Sequence, residues 1–167
     1  MGRGTSKPNS LPETQSLSRT ALFEKLRFVT FRFLLDTNVL SEPLKLQPNE
    51  SVVNHIERYQ AEIVIASVTW HEIWFGCCRL PDSRRRQRIE QYLREVIKPS
   101  VPILPFDAVA ALWFAKERSR LVSLGQTPSF ADGQIAAIAH ANDLILVTNN
   151  VMDYVNFQDI QITNWFV

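Results

Sequence analysis

The sequence has few of the residues on which several functional classes depend. Its 167 residues include two cysteines, the adjacent Cys77 and Cys78. These neither frame a set of disulfides nor supply the spaced pairs of a zinc site. They are expected as small core residues in a reducing cytoplasm. The three histidines, His55, His71 and His140, share no ligand spacing, and no Ser/His/Asp arrangement for covalent catalysis is evident. Five scattered glycines build no phosphate-cradling loop. No apolar run approaches the roughly 20 residues that span a bilayer, and no apolar h-region marks a secretory signal. Gly2 and Ser6 fit the M-G-x-x-x-[ST] pattern, which is short enough to arise by chance and has no support elsewhere in the chain. No membrane association is expected.

Charge of one sign is also scarce, since the whole chain carries a net +1. Residues 1–30 hold five of the 18 basic side chains and two of the 17 acidic ones, which leaves the remainder at a net −2. A protein of this balance meets nucleic acid through local patches or metal ions, not through a global field.

What is present is an ordinary globular composition, 46% hydrophobic, enough for one domain with a proper core. Residues 1–30 begin with MGRGTSKPNSLPETQSLSRT, rich in Gly, Pro, Ser and Thr without apolar periodicity, and read as a disordered tail. Residues 31–167 read as the folded domain. FRFLL (31–35), EIVIAS (62–67), a short 101–104 segment, LILVT (144–148) and 159–163 are strand-like, with the prolines of the third suggesting a sheet edge. Between them lie helical patterns: 39–44, SVVNHIERY after Asn49, 69–80, 81–98 stopped by Pro99, 108–124 capped by Asp107 and closed by Gly125, and a small-residue helix opened by Ser129. Strands alternating with helices imply an α/β fold with a largely parallel sheet.

In such a sheet the polar ends of the strands share one rim, where ligand sites form. FRFLL stops at Asp36-Thr37-Asn38. Glu72 lies just after the second strand, Asp132 in the first turn of the helix before LILVT, and Asp153 a few residues after it. Each acid has a local reading. Asp36 suits a turn, Thr69-x-x-Glu72 has the form of a capping box, and Ser129-x-x-Asp132 is its aspartate counterpart. Together, however, Asp36, Glu72, Asp132 and Asp153 would repel one another on one rim unless a cation sits there. Hard divalent ions with oxygen ligands, Mg²⁺ or Mn²⁺, suit such a set.

LLDTNVLSE, SVTWHEIWFG, FADGQIAAIAHANDLILVTNNVMDY and a final ITNW resemble, in order and spacing, the PIN-domain nucleases and in particular the VapC toxins of bacterial toxin–antitoxin pairs. The resemblance covers residues 31–167. It implies a three-layer α/β/α fold and a cytoplasmic, Mg²⁺- or Mn²⁺-dependent endoribonuclease. It further implies neutralisation by a cognate VapB-like antitoxin, and homodimers. By position, Asp36 and Asp132 match the metal-binding acids, Glu72 the second acid in chain order, and Asp153 the acid after T-N-N. Asn38 and Thr148 match supporting polar positions. Many relatives carry an acid at the position of Asn150, so the fourth place lies between Asn150 and Asp153.

Residues 79–98 form the one basic region, a net +4. Within it Arg84, Arg85, Arg86 and Arg88 are candidates for phosphate contact, against the plainer reading of a solvated helix face in which Glu90 and Arg94 pair at i,i+4. Trp70, Trp74, Phe75, Trp113 and Phe114 are expected mainly in the core, with some rings available to line a groove for a partner helix. The alternative function is a non-catalytic PIN-like module binding RNA or protein, its acids serving only as helix caps.

Overall fold

The computed structural model describes residues 30–167. The disordered tail expected for residues 1–30 therefore falls, but for Thr30, outside the described residues. Five strands, β1 (Phe33–Leu35), β2 (Ile63–Ala66), β3 (Ile103–Leu104), β4 (Ile145–Val147) and β5 (Gln161–Thr163), form one sheet in the order β3-β2-β1-β4-β5. Every pairing is parallel, with Leu35 level with Ile65 on one side and Val147 on the other. The central β1 is fully buried, as its unbroken apolar run requires of a strand covered on both faces. The proline-flanked β3 lies at an edge, where missing donors cost least.

The side-chain alternation of the strands divides the core into two layers. Leu34, Val64 and Leu146 point to one face, against Phe114 and Leu121 of α5 (Ala108–Ser123) and Ile135 and Ile138 of α6 (Phe130–Ala141). Phe33, Leu35, Ile63, Ile65 and Val147 point to the other. There they meet α1 (Thr37–Leu40), α2 (Glu50–Tyr59), α3 (Ser67–Cys78), α4 (Arg84–Gln91) and the π-helical segment Tyr92–Ile97 that continues α4. The result is the expected three-layer α/β/α sandwich. The helices α5 and α6 approach so closely that a Cβ on Gly133 would strike the Phe114 ring.

Several local expectations shift. The third helix begins at Ser67, not Thr69, and the fourth runs through the π segment and Pro99 to Ser100. The widened turn keeps Leu93 and Ile97 buried but turns Val96 outward, half exposed. Cys77 is buried as expected, whereas Cys78, about 100° further round α3, is exposed.

Candidate active site

Asp36 ends β1 and caps α1: its backbone is extended, and Oδ1 accepts from the Thr37 amide at 2.7 Å. Oδ2 accepts from Asn38 Nδ2 at 2.6 Å and from Thr148 Oγ1 at 2.7 Å. Thr148, wholly buried at the end of β4, also receives Asn38 Nδ2 and the Asn150 amide. Asn38 Oδ1 in turn accepts from the Asn149 amide. The ends of two neighbouring parallel strands are thus tied through one carboxylate, and the turn role of Asp36 is real but not its whole environment.

Glu72 does not cap a helix. Because α3 starts at Ser67, Glu72 sits in its second turn. Thr69 Oγ1 is buried and finds no hydrogen-bond partner among the described residues. Glu72 Oε2 instead accepts from Thr37 Oγ1 at 2.6 Å. This bond spans 35 residues, so no local pattern announces it, and Thr37 passes in the sequence for a turn residue. Asp132, in the first turn of α6, does take part in a cap: Ser129 Oγ accepts from its amide and donates to its Oδ2. Its Oδ1 accepts from Tyr154 Oη at 3.3 Å, a contact that sequence reading did not foresee.

Asp36 feels two of the other acids. Burial raises the Asp36 carboxyl above its ordinary value, the donors Thr148 and Thr37 oppose this, and the charges of Glu72 and Asp132 raise it further. Burial, followed by the charges of Asp36 and Asp132, pushes the Tyr154 phenol far up as well. None of the three carboxylates is paired with Lys, Arg or His among the described residues. Nor do any three Asp, Glu, His or Cys side chains there come close enough to form a ready-made cage for a metal.

Asp153 stands apart from this trio. It ends the 3₁₀ turn Val151–Asp153, is exposed, and lines a polar cleft with Asp132, Ser129 and Asn156. Asn150 is exposed, and its amide serves Thr148.

Of the four arginines, Arg84, Arg85 and Arg88 are exposed and free of ion pairs among the described residues, while Arg86 is committed to Glu90 at 2.8 Å and to the Leu80 carbonyl. The expected Glu90–Arg94 pair is replaced by this one, and Arg94 lies over the Trp74 ring. A largely apolar groove is lined by Thr37, Leu44, Glu72, Ile73, Leu80 and Ile89, and a neighbouring one that shares Leu44, Lys45 and Arg85 with it is lined further by Leu46, Arg84 and Arg88. The aromatic side chains lie mainly in or against the core, as expected, and none of them lines either groove. Phe114 is buried, Trp70 and Trp74 pack against the core, Trp113 stacks on His140, and Phe75 is exposed beside His71.

The PIN domain family model matches residues 33–152. The chain is 36% identical to Toxin FitB of Neisseria gonorrhoeae over 120 residues, 70% of this chain and 86% of that one. It is 30% identical to VapC ribonuclease Y4jK of Sinorhizobium fredii, covering 72% and 89% respectively. Among solved structures, FitAB bound to a DNA fragment superposes with a TM-score of 0.74 at 30% identity, over 81% of this chain and 96% of that chain.

Proposed function

The chain belongs to the PIN domain family, and from that membership and its acidic rim we propose that it is a divalent-metal-dependent endoribonuclease, the toxin of a toxin–antitoxin pair. The observation that carries the reading is the trio Asp36, Glu72 and Asp132, in which Asp36 feels the charge of the other two and to which the described residues pair no cationic side chain. A non-catalytic role for these acids as helix caps has less support, since Glu72 caps nothing and Asp36 accepts more donors than a cap uses.

The donor set fits Mg²⁺ or Mn²⁺. Mg²⁺ keeps several waters and takes one or two carboxylates together with substrate phosphate oxygens, so it needs no ready-made cage of three side chains. Asp36 and Asp132 would hold the ion. When bound, it supplies an acidified water and positive charge facing the scissile phosphate.

The protein's own groups do the rest. Thr148, Asn38 and the Thr37 amide fix the orientation of Asp36, which keeps its lone pairs aligned without reorganisation. Thr37 holds Glu72 through Oε2, leaving Oε1 to accept a proton from attacking water. Asp153 is the fourth acid in this reading, because it shares a cleft with Asp132. Arg84, Arg85 and Arg88 bind flanking RNA phosphates, and Arg86 braces α4. An antitoxin segment with apolar side chains suits the groove along Leu44, Ile73, Leu80 and Ile89.

VapC ribonuclease and Toxin FitB are the names of relatives; the test for this chain is direct. Purified protein incubated with total RNA should cleave it with Mg²⁺ or Mn²⁺ and not with EDTA. Co-expression with the cognate antitoxin should suppress cleavage.

A further inference from the structure

Resting on the metal-site reading above, we infer that Tyr154 is a positioning residue for Asp132, its hydroxyl fixing the direction in which that carboxylate faces the cation. Tyr154 is fully buried, in the core layer under α5 and α6, with its ring against Phe157. A phenylalanine would fill the same volume at no polar cost, whereas a buried phenol has to be given a partner. The sole hydrogen bond of Tyr154 Oη among the described residues is the one to Asp132 Oδ1, at 3.3 Å.

The two grips on Asp132 differ in kind. Ser129 binds Oδ2 from the exposed start of the same helix and moves with it. Tyr154 comes from the connection between β4 and β5, 22 residues on, the same connection whose first residues, Thr148 and Asn149, tie to Asp36 and Asn38. Its hydroxyl therefore references Asp132 to the strand end that holds Asp36. A carboxylate oxygen accepts more than one bond, so Oδ1 keeps a lone pair for a cation.

The test is Mn²⁺ affinity, read by calorimetry on the full chain, for the wild type, Tyr154→Phe and Tyr154→Leu, with melting temperatures of the metal-free proteins. Both variants should bind Mn²⁺ about tenfold more weakly, and only Tyr154→Leu should melt lower. Wild-type affinity in Tyr154→Phe overturns the inference, as does a fall in its melting temperature equal to that of Tyr154→Leu. A wild type that binds no Mn²⁺ overturns the metal-site reading and this inference with it, an outcome distinct from the other two.

Discussion

Thr148 Oγ1 donates a 2.7 Å hydrogen bond to Asp36 Oδ2, joining residues 112 apart in the chain at the ends of adjacent parallel strands. The bond favours the ionised carboxylate, so it holds the Asp36 pKa below where burial alone would put it. Thr148→Val keeps the shape and removes the donor. The Asp36 pKa then rises further, less carboxylate is ionised at a given pH, and the acid limb of the cleavage pH profile moves to higher pH. A pH–rate profile checks this; an unmoved acid limb contradicts it.

How far the sequence discloses this site depends on the range of each interaction. Strand ends, helix caps and the α/β alternation are local, and from them Asp36, Glu72 and Asp153 are expected on one rim with Asp132 joining from its helix; in the structure Asp132 rather than Asp153 lies within electrostatic reach of Asp36. The bonds that orient those acids are not local. Thr37 reaches Glu72 across 35 residues and Tyr154 reaches Asp132 across 22, and neither has a periodic signature. The capping-box form of Thr69 and Glu72 misled for a related reason: the helix boundary moved by two residues once Ser67 joined α3, and capping chemistry depends on that register. The π segment acts in the same way on Val96, which constant helical spacing from Ile89 and Leu93 would turn inward.

Thr37→Val removes the one hydrogen bond that the described residues give the Glu72 carboxylate. Cleavage should slow about tenfold or more through kcat, with KM for RNA little changed, and stability should fall by only about 1 kcal/mol. Steady-state kinetics beside chemical denaturation separate the two effects. A variant as active as the wild type shows that Thr37 does not orient Glu72 for catalysis.

Replacing Arg84, Arg85 and Arg88 together with Ala should weaken RNA binding by the catalytically dead Asp36→Asn protein and flatten its dependence on salt. Every arginine that neutralises a phosphate steepens the plot of log K against log salt by about 0.7 to 0.9, and its replacement by Ala takes that increment away. Arg86→Ala should instead act on stability, since its partner is Glu90. An unchanged slope in the triple variant shows that the helix face is merely solvated.

Glu117 is buried on α5, pairs with Arg120 and accepts the Gln158 amide, while Arg120 holds the Asn156 carbonyl. This clamp fastens the connection that follows Asp153 to α5. The Arg120 hydrogen bond, against the cost of burial and with help from the Gln158 amide, keeps the Glu117 pKa below its ordinary 4.5. A carboxyl lowered on folding stabilises fully above its unfolded value, and that stability is lost as pH falls through its folded value. Glu117→Gln should therefore lower stability at pH 7 by about 1 to 3 kcal/mol, with the deficit shrinking below pH 4.5. Denaturation at two pH values reads it, and a deficit that does not change with pH rejects the assignment.

The most direct measurement on the central claim is cleavage of total RNA by purified protein with Mg²⁺ or Mn²⁺, for the wild type, Asp36→Asn and Asp132→Asn. Wild-type cleavage should disappear with EDTA and return with added metal, and each substitution should abolish it while the protein remains folded. Cleavage that survives both substitutions, or that EDTA leaves intact, contradicts a carboxylate-held metal at this rim.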